Sequence, residues 1–263
     1  MVNDTRQVYQ IKNPLTRSHT PANPWFRCLN ICTRPRLRLF CFPYAGGSAS
    51  VFHDWPAFFT ENIELISVQY PGRGERYNDA LIADCSQMVD AIYANITTLL
   101  DIPTLFFGHS NGGLIAYELA RKLQSASGYS LSHLFLSASC SAADRKATAR
   151  RSALNDDALI SELASLNGTP PALLANKEMM ELYLPILRAD FTISDSYRYC
   201  STPRLKSATT VFYGLQDDSM SLNEINGWQK IIHGNVDFVP INGGHFFIHE
   251  RLSQVISHIK RYL

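Results

Sequence analysis

Phe106-Phe107-Gly108-His109-Ser110-Asn111-Gly112-Gly113 is the stretch around which the chain is organised. Before it, Thr104 to Phe107 form a short apolar run after Pro103, as expected of a strand buried on both faces of a parallel sheet. After it, Ile115, Leu119 and Leu123 recur at helical spacing, with Ala116 and Ala120 beside them. The stretch therefore reads as strand, sharp turn and helix. In so tight a turn, side chains two residues before and after the serine collide, and Gly108 and Gly112 leave those places empty. Ser110 then projects from a strained position, the helix aims its amide dipoles at it, and the Asn111 N–H faces an oxygen that becomes negative during attack. A glycine-rich loop closing a core strand is the plainer alternative.

Upstream, Leu37 to Phe42 reads as a strand running into Pro43-Tyr44-Ala45-Gly46-Gly47-Ser48, where small residues let backbone amides approach a substrate oxygen. The Ala45 N–H is the candidate second oxyanion donor. Val51 to Thr60 is predicted to be a helix, Leu65 to Gln69 a strand, and Tyr70-Pro71-Gly72-Arg73-Gly74-Glu75-Arg76 a loop whose arginines either pair within the protein, the favoured reading, or face a ligand. Asp84 to Leu100 carries Met88, Ile92, Ile96 and Leu99 at helical spacing.

Downstream, Leu134 to Ser137, Thr209 to Tyr213 and Val236 to Pro240 read as further strands, and Ile248 to Leu263 as a closing helix. Alternating helices and short apolar runs without hairpin signals imply an α/β protein with a mostly parallel sheet flanked by helices. Between about 141 and 205 the alternation stops. Leu159, Leu163 and Leu166 share one helical face, and a second helix runs from Lys177 through Phe191 with Pro185 as a start or kink. A crossover needs only one helix, so this excess is expected to be a helical lid inserted at the carboxyl edge of the sheet.

A serine hydroxyl is a weak nucleophile at neutral pH and needs an imidazole to take its proton and a carboxylate to hold that imidazole. Both fall in loops just after strands. Gly214-Leu215-Gln216-Asp217-Asp218 offers the acid, and Asn242-Gly243-Gly244-His245 the base. Asp217 and Asp218 are both candidates; Asp217 stands three residues after Gly214 and three before Met220, the order this loop often shows in the fold the chain resembles, which favours it with Asp218 in reserve. His109 diverges from Ser110, while His133 and His249 are read as packing or surface residues.

At 263 residues the chain can bury a sizeable core without metals or disulfides. A net charge of +1 gives no global field for nucleic acid, and no apolar run approaches a bilayer span. Residues 1–24 are polar, contain Pro14, Pro21 and Pro24, and are expected to form a flexible tail ahead of one domain over 25–263. They lack the apolar stretch of a secretory signal, so a cytoplasmic location is expected. Six scattered cysteines without metal-ligand spacing read as reduced thiols.

Five segments together resemble the type II thioesterases, stand-alone editing enzymes of nonribosomal peptide and polyketide synthesis. They are Leu37 to Ala49, Gln69-Tyr70-Pro71-Gly72-Arg73, Phe107-Gly108-His109-Ser110, Leu187-Arg188-Ala189-Asp190-Phe191 and Gly243-Gly244-His245-Phe246-Phe247. The resemblance implies an α/β-hydrolase fold, a Ser110, Asp217 and His245 triad, and oxyanion donors at Ala45 and Asn111. It implies no cofactor or metal, and a partner in an acyl or peptidyl carrier protein whose phosphopantetheine arm bears the thioester. Where the family usually has methionine and alanine, this chain has Asn111 and Gly113, which predicts a more polar, less filled pocket wall. Arg145, Lys146, Arg150 and Arg151 near the start of the lid are candidates for docking an acidic carrier, or else a solvated basic face.

Overall fold

The computed structural model describes residues 23–145 and 150–263. Among the described residues seven strands, the first of them β1 (Phe26–Cys28), form one sheet in the order β1-β3-β2-β4-β5-β6-β7. Strands β2 (Leu37–Phe42), β3 (Ile63–Val68), β4 (Thr104–His109), β5 (His133–Ser137), β6 (Thr209–Gly214) and β7 (Val236–Ile241) run parallel. Every residue of β2 to β5 is buried, because helices cover both faces of the sheet.

One face packs against α1 (Cys85–Ile96) and α2 (Asn111–Ser127) through Met88, Ile92, Leu114, Leu119 and their neighbours. The other packs against Phe52, Trp55 and the C-terminal helices α8 (Phe247–Glu250) and α9 (Leu252–Ile259), with Val255, Ile256 and Ile259 inward. Asp84 caps α1 by accepting the Gln87 N–H at 2.8 Å, and Gly128 ends α2 in the left-handed region at φ 69°.

One strand has no counterpart in the sequence reading, and three local expectations need correction. Strand β1 (Phe26–Cys28) pairs antiparallel to β3, a three-residue edge too short to show a period in sequence. The helix expected over Val51 to Thr60 is two 3₁₀ turns, Ala49–Phe52 and Trp55–Phe58. Pro56 lacks the N–H that a continuous helix would need there. The closing helix begins at Phe247 and breaks at Arg251 before resuming as α9. Pro185 does not start α5 (Lys177–Ser196) but lies within it, exposed and without an N–H to donate back along the helix.

Between β5 and β6 lie α3 (Asp156–Ser165), α4 (Pro171–Leu174) and α5, which share a separate apolar cluster of Leu159, Leu163, Met180, Leu184, Leu187 and Phe191, and between β6 and β7 lie the short α6 (Leu222–Asn226) and α7 (Trp228–Ile231). The expected tail lies outside the described residues as far as residue 22. Asn23 is tied to the body, its Nδ2 donating to Asn95 Oδ1 at 3.1 Å. Among the described residues no helix is long and apolar enough to cross a membrane.

His133 carries a pH-dependent contribution to this fold. It is 2% exposed, its Nε2 lies 2.8 Å from Thr210 Oγ1, and its ring packs on Tyr262. Burial lowers its pKa from 6.5 to about 4. The unfolded chain therefore binds this proton more readily than the folded one, and stability rises with pH across the window between those values. The contribution is complete above the unfolded pKa and is lost as pH falls toward 4. Between pH 7 and pH 4 the wild type is expected to lose up to about 3 kcal/mol more unfolding free energy than His133→Gln. Urea titrations at the two pH values measure it, and equal losses would refute the assignment.

Candidate active site

The carboxyl ends of β2, β4, β6 and β7 deliver four loops to one edge of the sheet, the position in an open α/β sheet where ligands bind. Ser110 follows β4 with φ 55° and ψ −114°, a conformation a non-glycine residue adopts only when its surroundings impose it. The imposition is visible. Its N–H donates to Ser137 O at 2.7 Å, and the turn is so close that a Cβ on Gly108 would lie 2.3 Å from Gly112 O.

His245, after β7, places Nε2 3.0 Å from Ser110 Oγ and Nδ1 2.8 Å from Asp217 Oδ2. An Nδ1–H donated to the carboxylate leaves Nε2 as an acceptor for the serine hydroxyl. The Asp217 side chain is only 3% exposed. Burial opposes its ionisation, but hydrogen bonds from His245 and Ser219 outweigh that and hold its carboxyl below the usual value. Ser219 donates both its N–H, at 3.1 Å, and its hydroxyl, at 2.5 Å, to Asp217 Oδ1. Asp218 is exposed.

His109 points away from the serine, its Nδ1 2.9 Å from Ser137 Oγ and its ring edge-on to His245 at 5.5 Å. Burial, with His245 and His249 nearby, pushes its pKa well below the usual histidine value, so it stays neutral and packs. His249 lies 3.0 Å through Nε2 from the Tyr44 hydroxyl.

The Ala45 N–H, in the loop after β2, and the Asn111 N–H, in the first turn of α2, have no backbone acceptor among the described residues. Ala45 borders a cavity of about 260 Å³ together with Gly46, Ser110, His245 and Phe246, roofed by Leu163, Tyr183, Leu187 and Phe191, and Asn111 directly follows Ser110 in the chain. The Asn111 side chain does not line it. Its Nδ2 donates to Asp190 O at 3.0 Å, and its Oδ1 accepts from Ser194 Oγ at 2.5 Å. Gly113 packs on Ser139. The expected polar pocket wall is therefore absent, because the departures at 111 and 113 face α5 and the β5 loop.

The basic group near the start of the insertion is not a uniform solvated face. Arg145 turns inward, donating to Ser139 Oγ at 2.9 Å, and Arg151 donates to Glu162 Oε1 at 2.8 Å, while Arg150 is exposed. Lys146 lies outside the described residues.

Sequence reasoning gave no role to Ser219 or Asp190. Ser219 had a local signal, two residues after the acid. Asp190 had only its place in a matching segment, and its partner Arg73 is distant in the chain.

Residues 37–263 match the family model described as the thioesterase domain. The chain belongs to the thioesterase family. It is 36% identical to the gramicidin S biosynthesis protein GrsT of Aneurinibacillus migulanus, over 92% of this chain and 94% of that one. Among solved structures it is similar to BorB, the type II thioesterase of the borrelidin cluster, with a TM-score of 0.86 and 28% identity over 92% of this thioesterase and 99% of BorB. YbtT, the type II thioesterase of the yersiniabactin pathway, gives 0.81 and 27% over 90% and 97%. The sheet and the family together make this an α/β-hydrolase-fold enzyme that hydrolyses thioesters, of the type II class.

Proposed function

We propose that this thioesterase clears acyl groups from the phosphopantetheine arm of carrier proteins in a nonribosomal peptide or polyketide pathway of the cytoplasm. In this reading Ser110 is the nucleophile, His245 the base, Asp217 its orienting acid, and the Ala45 and Asn111 N–H groups the oxyanion donors. The observation that carries the reading is the unbroken chain from Asp217 Oδ2 through His245 to Ser110 Oγ, with contacts of 2.8 and 3.0 Å. Helices α3 to α5 act as the lid.

Ser110 Oγ attacks the thioester carbon as His245 takes its proton. The carbonyl oxygen gains the charge and is met by the two N–H groups. The carbon–sulfur bond then breaks. A thiolate leaves more readily than an alkoxide or amine, so little acid assistance from His245 is required. The departing thiolate takes the proton from His245, which restores the neutral imidazole; water then attacks the acyl-serine, His245 accepting its proton and passing it to Ser110 Oγ as the free acid departs. A second, polar cleft bordered by Gln216, Ser219 and Gly244 reaches His245 and gives that water a route.

The volume of about 260 Å³ falls below the ~300–1,000 Å³ of sites for drug-sized ligands and suits a short acyl group. Acetyl-loaded carrier protein is therefore expected to turn over at least about tenfold faster than octanoyl-loaded carrier, with Ser110→Ala inactive on both. Acid release followed by mass spectrometry, beside matched free esters and thioesters, measures it. Equal rates on free esters would replace the carrier-directed reading with a general carboxylester hydrolase. Activity in Ser110→Ala would overturn the catalytic assignment.

A further inference from the structure

Asp190 lies on α5, in the helical roof, yet it is 2% exposed and reaches the loop that holds Gly46. Its carboxylate meets the Arg73 guanidinium end-on, Arg73 Nη2 donating to Oδ1 at 2.8 Å and Nη1 to Oδ2. The same Oδ2 accepts the backbone N–H of Gly46 at 2.7 Å, and the Asp190 carbonyl accepts from Asn111 Nδ2. One residue of the roof thus grips both segments assigned the oxyanion donors, the loop after β2 and the first turn of α2. The Gly46 N–H belongs to the peptide that follows Ala45, so holding it fixes the plane next to the Ala45 donor. The Asn111 contact holds the residue whose own N–H is the second donor.

A buried ion pair does not in general stabilise a fold more than a well-packed apolar pair, so stability alone does not account for this one. Its surroundings are built to aim it. Arg73 Nε donates to Pro71 O at 3.2 Å, and Gln69 ties the Arg73 loop after β3 to the turn that follows Ser48 by accepting the Ala49 N–H at 3.0 Å and donating to Arg73 O at 2.9 Å. Gly46 itself sits at φ 79°, with space for a Cβ denied by the Tyr183 hydroxyl of α5, 2.3 Å away.

We propose that Asp190 is a positioning residue that sets the separation of the two oxyanion donors and makes hydrolysis depend on the seating of α5. The proposal rests on the reading of Ala45 and Asn111 as those donors. It predicts that an acceptor for the Gly46 N–H matters and that the charge of the pair does not.

Two paired variants separate these. Arg73→Leu with Asp190→Leu removes the acceptor and leaves an apolar contact; Arg73→Gln with Asp190→Asn keeps an oxygen for the Gly46 N–H without charge. The probes are the acetyl thioester of N-acetylcysteamine and a trifluoromethyl ketone analogue, whose adduct on Ser110 carries an oxyanion. The leucine pair is expected to lose about 10- to 100-fold in kcat/KM and the same factor in ketone affinity, at a retained melting temperature. The Gln/Asn pair is expected to recover most of both. The proposal is overturned if the leucine pair stays within about threefold of wild type, or if both pairs fall equally. Should the leucine pair not fold, Asn111→Ala, which cuts only the other tether, carries the test. A joint loss of about fivefold supports the proposal, and unchanged values overturn it. A wild type that binds the trifluoromethyl ketone no better than the methyl ketone would overturn the oxyanion reading itself.

Discussion

Asp217→Asn is expected to lower kcat about 10⁴-fold, while Asp218→Asn stays within about threefold of wild type. The size follows from which hydrogen bonds an amide can keep. Asp217 Oδ1 receives two donors from Ser219, and Oδ2 faces His245 Nδ1 at 2.8 Å. In the asparagine variant the Ser219 donors select the amide oxygen for the first position, which leaves the NH₂ group toward Nδ1. Nδ1 must then be an acceptor, and the ring proton moves to Nε2. An Nε2–H facing Ser110 cannot take the serine proton, so the geometry survives and the chemistry does not. Steady-state hydrolysis of an acetyl thioester measures the loss. Asp218 is exposed, and its amide changes nothing His245 feels. If Asp218→Asn proved the more damaging, the acid would have been assigned to the wrong residue. Ser219→Ala together with Asp217→Asn gives a further check: with the selecting hydroxyl removed, the amide turns more freely and part of the activity returns.

What could be read from the sequence follows from what is local. The turn at Ser110 was legible because close backbone approach can be met only by glycine, and Gly108 and Gly112 stand where the collision would occur. The parallel sheet was legible because strands buried on both faces read as continuous apolar runs. The spacing around Asp217 favoured the carboxylate that the fold brings to His245, since the distance from strand end to loop tip is set within a few residues. Contacts made across the chain left no such trace. Arg73 and Asp190 meet 117 residues apart, and neither carries a local pattern that names the other. Arg145 read as part of a basic face until its neighbours Ser139 and Ser194 were in place. The 3₁₀ turns after β2 were missed because their aromatic residues are spaced like a helix, and Pro56 outweighed that period.

Gly112→Ala is expected to destabilise the protein by more than about 3 kcal/mol and to abolish most of its activity, whereas Gly128→Ala should cost about 1–2 kcal/mol and leave activity intact. The contrast separates two reasons for glycine. At Gly128 the backbone is left-handed at φ 69°, but an added Cβ meets nothing within 4 Å, so the cost is conformational alone. At Gly112 a Cβ would lie 2.1 Å from Phe42 O and 2.5 Å from Pro43 O. Those are backbone atoms at the end of β2 and cannot turn aside as a side chain would. Relief requires α2 to part from β2, which moves the Pro43-Tyr44-Ala45 loop and Asn111 away from each other. Overpacking of this kind commonly costs 1–3 kcal/mol, and the absence of any flexible neighbour places Gly112 at or above the upper end. Urea denaturation and acetyl-thioester hydrolysis measure the two effects separately. If Gly112→Ala folded with full activity, β2 and α2 would have to be less tightly apposed than these distances require, and the strain on Ser110 would need another source. A variant that folds near-normally but hydrolyses slowly would locate the damage in the spacing between the two proposed oxyanion donors, since that spacing is what the β2–α2 contact holds.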